Sequence, residues 1–134
     1  MKIDGREIAE EILKELQRKV ENLKKKDIIP NLAIILVGDD PASKAYVRQK
    51  MLTAEKIGIK TSSFQYPDSI STKDLLNRLN DLNHLTSVHG IIIQRPVPID
   101  ISKEELDLLV IPAKDVDGFH PDSPFTPPIA SAVI

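Results

Sequence analysis

Apolar residues at helical spacing open the chain. Ile8, Ile12, Leu13, Leu16, Val20 and Leu23 share one stripe, and charged side chains fill the opposite face. This spacing predicts a helix over about Arg6 to Lys26, with Pro30 lying beyond its end. The period then changes. Leu32-Ala33-Ile34-Ile35-Leu36-Val37 is uninterruptedly apolar, as expected of a strand buried on both faces. Gly38-Asp39-Asp40-Pro41 reads as a turn, followed by a helix over about Ala42 to Ile57 with Gly58 as its left-handed stop. Ile59 to Tyr66 alternates weakly and predicts a second strand. Ser71 with Asp74 three residues later opens a helix carrying Leu75, Leu76, Leu79 and Leu82. Gly90-Ile91-Ile92-Ile93-Gln94 is the next buried strand, and Ser102-Lys103-Glu104-Glu105 is a capping box for a short helix through about Leu109. Helices separate the strands throughout. The expected fold class is therefore α/β: a single three-layer domain with a small, mostly parallel sheet flanked by helices and right-handed crossovers.

Bulk composition narrows the function classes. A chain of 134 residues, 41% hydrophobic and 28% charged, is long enough to bury a core without disulfide or metal support. Its net charge of −2 lacks the basic surplus that a phosphate-binding surface leaves, so no nucleic-acid partner is expected. The one basic run, Lys24-Lys25-Lys26, falls where the first helix ends and complements its dipole there. The chain has no cysteine, which excludes thiolate chemistry and fits a reducing compartment. The longest apolar run is far short of a membrane span, and the N-terminus has no apolar signal core. A cytoplasmic protein without membrane partners is the expectation.

Three stretches bring chemistry to the loops that follow the carboxyl ends of the strands, where open α/β sheets place ligands. Tyr46 and Lys50 are four apart on a helix, and Ser43 shares their face near its start. They suit either a ring that stacks on a planar ligand beside a proton-carrying lysine, or a half-buried tyrosine beside a solvated lysine. A lysine acts as a general base near neutral pH only when burial or another cation lowers its pKa. Gln94 ends an apolar strand, and Pro96 and Pro98 stop that strand from continuing. Its amide either orients a lysine or water, or satisfies backbone groups at the strand end. Asp117 precedes Gly118 two residues after Asp115. It is either a carboxylate able to accept paired N–H donors or the cap of its own turn.

No metal site is expected of Asp39, Asp40, Asp115 and Asp117, which lack an EF-hand or histidine-containing pattern. His84, His89 and His120 have no spacing of a metal site or triad, and structural or solvent-facing roles are expected of them. The five glycines are too scattered for a nucleotide-binding fingerprint.

Taken in order, Asp4-Gly5, Val37-Gly38-Asp39-Asp40-Pro41-Ala42-Ser43, Tyr46-Val47, Lys50, Gly58-Ile59, Val88-His89-Gly90-Ile91, Gln94, Pro96, Pro98 and Lys114-Asp115-Val116-Asp117-Gly118-Phe119-His120-Pro121 resemble the N-terminal catalytic domain of the methylenetetrahydrofolate dehydrogenase/methenyltetrahydrofolate cyclohydrolase family. The resemblance implies one-carbon folate chemistry with tetrahydrofolate derivatives as partners, and places the protein in purine biosynthesis. Lys50 would be the acid/base as water adds to the methenyl carbon and the ring opens to the 10-formyl product. Gln94 would position Lys50. Tyr46 would stack on the folate, with Ser43, Val47 and Pro96 as further substrate contacts, and Asp117 would hold the pterin edge.

The same resemblance implies a folate-binding catalytic domain over residues 1–121 and a shortened connector over 122–134. It implies no cofactor bound by this chain, since the NADP- or NAD-binding domain of the full-length family has no counterpart here. Hydride transfer and a homodimer would belong to the full-length form. Two departures stand out. Arg95 occupies a position the family commonly fills with an apolar residue, and Phe125 replaces a family cysteine in a connection that is shorter than usual. A folate-binding module without turnover, and a docking fragment built on the two-proline loop, are the competing readings.

Overall fold

The computed structural model describes residues 5–125; Asp4 and residues 126–134 of the expected connector lie outside them. Four helices and three strands alternate: α1 (Gly5–Lys25), β1 (Asn31–Val37), α2 (Pro41–Lys56), β2 (Lys60–Tyr66), α3 (Thr72–His84), β3 (Gly90–Ile93) and α4 (Lys103–Asp107), with a 3₁₀ turn at Pro112–Lys114. The strands form one parallel sheet in the order β2-β1-β3. Leu32 pairs with Thr61 on one side and Gly90 on the other, so β1 is the central strand.

That central position explains its unbroken apolar run. Ala33, Ile35 and Val37 face one side and pack with Leu75, Leu79 and Leu82 of α3 and Leu106 of α4. Ile34 and Leu36 face the other, against Val47 and Met51 of α2. The result is the expected three-layer α/β arrangement, with one helix on one face and two on the other.

Local chemistry sets the helix ends. Asp40 caps α2 by accepting from Ser43 N at 2.9 Å, with Pro41 in the first turn. Ser71 and Ser102 accept from the amides of Asp74 and Glu105, at 3.0 and 3.1 Å, and so start α3 and α4. Gly58 has φ +93, the left-handed geometry expected of the stop after α2; a Cβ there would also crowd Val20 of α1 at 3.2 Å.

Two elements differ from the sequence expectation. α4 ends at Asp107 and not at Leu109, because the Asn83 amide of α3 takes over the following backbone: its Nδ2 donates to Leu109 O at 2.8 Å, and its Oδ1 accepts from Ile111 N at 3.1 Å. α1 forms where its periodicity predicts, yet Val20 is its one buried residue among those described. Ile8, Ile12 and Leu16 of the same stripe stay exposed. Contacts also continue past residue 121: Ser123 Oγ donates to Asp115 O at 3.0 Å, and Ser123 N to His120 O at 3.0 Å.

Candidate functional site

The residue that follows β3 meets the middle of α2. From opposite elements, Lys50 and Gln94 meet: Lys50 Nζ donates to Gln94 Oε1 at 2.9 Å. Gln94 is 8% exposed, and its backbone N–H extends the sheet ladder to Ile35 O at 2.8 Å. Its Nε2 donates to Arg95 O at 3.2 Å. The amide therefore does both things its sequence position allowed, closing the backbone at the strand end and holding the lysine. With both ends occupied, it cannot rotate away without losing one bond, worth about 1 kcal/mol or more next to a charged donor.

The face of α2 that carries Lys50 divides by depth. Ser43 is 3% exposed, and its Oγ donates to Asp40 Oδ2 at 3.0 Å, inside the cap of the helix. Val47 is 5% exposed and packs among Ile34, Leu36 and Ile92. These two residues, named by the resemblance as substrate contacts, hold α2 against the sheet. Tyr46 is 62% exposed, its ring free to receive a planar partner. Pro96 lies in the exposed loop after β3, with a cis peptide to Arg95.

The 115–120 loop separates its two carboxylates by function. Asp115 is buried and makes the turn: Oδ2 accepts from His120 N at 2.6 Å, and its carbonyl accepts from Gly118 N at 3.2 Å. A bridge from Asp115 to Ile91 ties this turn to β3. Gly118, at φ 73, supplies the left-handed step after Asp117. With Asp115 making the turn, Asp117 keeps its carboxylate out of any hydrogen bond or ion pair among the described residues. Burial pushes the Asp117 carboxyl above its ordinary range. The positive charges of Lys50 and Arg95 oppose that rise, and the negative charge of Asp115 adds to it. Lys50 and Asp117 thus act on each other across the site, where the sequence had placed them 67 positions apart.

Other candidates resolve into structure. Lys114 Nζ donates to Leu82 O at 3.0 Å and Leu85 O at 2.8 Å, closing the carboxyl end of α3, and burial lowers its pKa. His89 Nδ1 accepts from Asn31 N at 3.1 Å and His120 Nδ1 from Asp122 N at 3.0 Å. Asp39 pairs with Lys44, and among the described residues no carboxylate and histidine group could hold a metal ion. Arg95 carries more than its sequence suggested. Its Nη2 meets Asp107 Oδ1 at 2.5 Å, and its guanidinium lies 3.8 Å from the centre of the Phe119 ring. No local motif announces an arginine paired with a residue twelve positions on and a ring twenty-four positions on; only the fold brings them together.

Fold and site together define a class: an α/β domain with a lysine, an amide and a partly buried carboxylate brought together near the carboxyl ends of its strands. Residues 3–117 match the model of the tetrahydrofolate dehydrogenase/cyclohydrolase catalytic domain, and the chain belongs to that family. It is 43% identical over 122 residues to the bifunctional protein FolD of Chloroherpeton thalassium, covering 90% of this chain and 42% of that relative. The crystal structure of the bifunctional FolD methylenetetrahydrofolate dehydrogenase/cyclohydrolase from Campylobacter jejuni superposes with a TM-score of 0.92 at 41% identity, covering 97% of this chain and 50% of that one. The FolD structure from Trypanosoma brucei, complexed with NADP cofactor and inhibitor, gives a TM-score of 0.80 at 33% identity over 87% of this chain and 40% of that one. The chain therefore spans half or less of the length of these relatives.

Proposed function

We propose that this chain binds tetrahydrofolate derivatives at the Lys50–Gln94–Asp117 site and carries out the cyclohydrolase step on 5,10-methenyltetrahydrofolate. The observation that carries the reading is the 2.9 Å contact from Lys50 Nζ to Gln94 Oε1, with the unpaired Asp117 carboxylate in electrostatic reach of the same lysine. In this reading water adds to the methenyl carbon, a proton passes from that water to Lys50, and the lysine returns a proton to the nitrogen that departs as the ring opens to the 10-formyl product. Gln94 keeps the lysine aimed. Tyr46 stacks on the folate, Pro96 borders it, and Asp117 accepts paired N–H donors from the pterin edge. Ser43 and Val47 contribute by seating α2.

Residues 1–121 form the folate-binding unit in this proposal, with the connector beginning at 122. The dehydrogenase step, interconverting the 5,10-methylene and 5,10-methenyl forms, belongs with an NADP- or NAD-binding domain in a full-length, homodimeric form. Supply of one-carbon units for purine biosynthesis in the cytoplasm follows from the same reading.

The test is the rate of 5,10-methenyltetrahydrofolate loss above the buffer background, for the chain and for Lys50→Met. General acid–base catalysis contributes roughly 10²–10⁴-fold, so K50M is expected to lose that factor while still binding folate. An unchanged rate in K50M refutes the assigned role. A second reading, folate binding without turnover, draws on the exposure of Tyr46, whose ring has open solvent beside it. It predicts binding by the chain with no rate above background.

A further inference from the structure

Arg95 interrupts the pattern of its surroundings. It follows an apolar strand, at a position where the resemblance leads one to expect an apolar side chain, and its side chain is only 24% exposed. A partly buried guanidinium needs partners. It has Asp107 at 2.5 Å, and Asp107 is itself shared with Lys103 Nζ at 2.8 Å. The Phe119 ring lies beneath the guanidinium, an arrangement favourable to a cation. Arg95 O accepts from the Gln94 amide that holds Lys50. Its Nε is buried with no hydrogen-bond partner among the described residues. Arg95, Asp107, Asp115, Asp117 and Phe119 all line the same small cavity of about 10 Å³, room for roughly one water molecule.

We propose that Arg95 is a positioning residue for Asp117, strapping the 115–120 loop to α4 and keeping a fixed cation beside that carboxylate. The strap has a firm end and a working end. Asp107 anchors the guanidinium from α4 and Phe119 is held under it, while Arg95, whose buried Nε has no partner among the described residues, lines with Asp117 one cavity that has room for about one bridging water. The charges around Asp117 divide by element: Lys50 from α2 and Arg95 from the loop after β3 are positive, while Asp115 in its own loop is negative. Asp107 of α4 lines the same cavity, and its charge is already matched by Arg95 and Lys103. Of the two cations, Lys50 is the one whose proton moves in the proposed reaction. Arg95 is permanently charged, so its opposition to the burial of the Asp117 carboxylate, smaller than that of Lys50, persists whatever Lys50 carries. The consequence for catalysis rests on the folate reading above; the positioning itself does not.

The experiment is a carboxyl-carbon NMR titration of the whole chain labelled at aspartate, with the Asp117 signal assigned from Asp117→Asn. In Arg95→Leu the Asp117 midpoint is expected to shift to higher pH than in the unmodified chain, and Arg95→Lys to return it part of the way. Circular dichroism confirms that each variant is folded. If R95L does not fold, Arg95→Gln, which removes the charge while keeping a polar amide at the position, carries the same titration. A merely structural arginine would change the melting temperature and leave the Asp117 midpoint where it was, and a coincident midpoint in a folded variant overturns the proposal. The titration needs no folate, so a chain that binds none would overturn the functional reading and leave this result to decide the role of Arg95.

Discussion

At the scale of single residues, the contrast between Asp115 and Asp117 organises the site. Both are aspartates in one short loop, and they spend their carboxylates oppositely. Asp115 buys order by capping His120 N, and Asp117 is left partly buried without a bonded partner. A carboxylate kept this way costs stability whenever it is ionised. The sign follows from its raised pKa: the folded chain holds the Asp117 proton to higher pH than the unfolded chain, whose ordinary value is 3.8. Its contribution therefore weakens folding as pH rises from that value through the raised one, and stays unfavourable above it. Asp117→Asn is expected to raise the urea midpoint at neutral pH, with the gain shrinking toward zero on the acid side of the titration. A D117N midpoint equal to or below the unmodified one at neutral pH contradicts this account. Asp107 works in the other direction. Burial alone would raise its pKa, but Lys103 and Arg95 together lower it, so its stabilising share persists above the ordinary value and is lost as pH falls through the lowered one.

At the scale of elements, the ends of helices matter as much as their faces. The serine caps of α3 and α4 were legible because a side chain and the amide it satisfies lie three residues apart. The end of α4 was not, since Asn83 reaches it from another helix. That amide makes two bonds to backbone groups otherwise without a helix or strand partner. Asn83→Ala is expected to cost on the order of 1–3 kcal/mol in chemical denaturation, and faster hydrogen exchange at Ile111 N would locate the loss. A cost near zero would mean that water replaces the clamp fully. The α2 face shows the same limit in another form. Ser43, Tyr46, Val47 and Lys50 share a face by spacing, yet packing buries the first and third and leaves Tyr46 exposed. Helical periodicity specifies an angle around an axis; depth depends on what covers it.

At the scale of the whole molecule, stability rests on the two faces of β1. Leu79 of α3 is 1% exposed and sits in the larger cluster with Ala33, Ile35 and Leu75. Leu79→Ala is expected to cost about 2–5 kcal/mol, a large part of the 5–15 kcal/mol typical of a domain, and a denaturation midpoint measures it directly. A loss below about 1 kcal/mol would show that the cluster collapses around the missing side chain. The sequence alone determined the alternation of helices and strands, the burial of the first strand on both faces and the capped helix starts, because hydrophobic period and capping act over a few neighbouring residues. It also carried the family motifs in order. The tertiary structure alone decided that Lys50 meets the Gln94 carbonyl, that Asp115 and not Asp117 closes the turn, and that Arg95 joins Asp107 to Phe119. The lysine and arginine contacts depend on strand order and helix depth, which bring residues 12 to 44 positions apart within reach of one another. Contacts of that kind are set by packing and leave no local period in the chain.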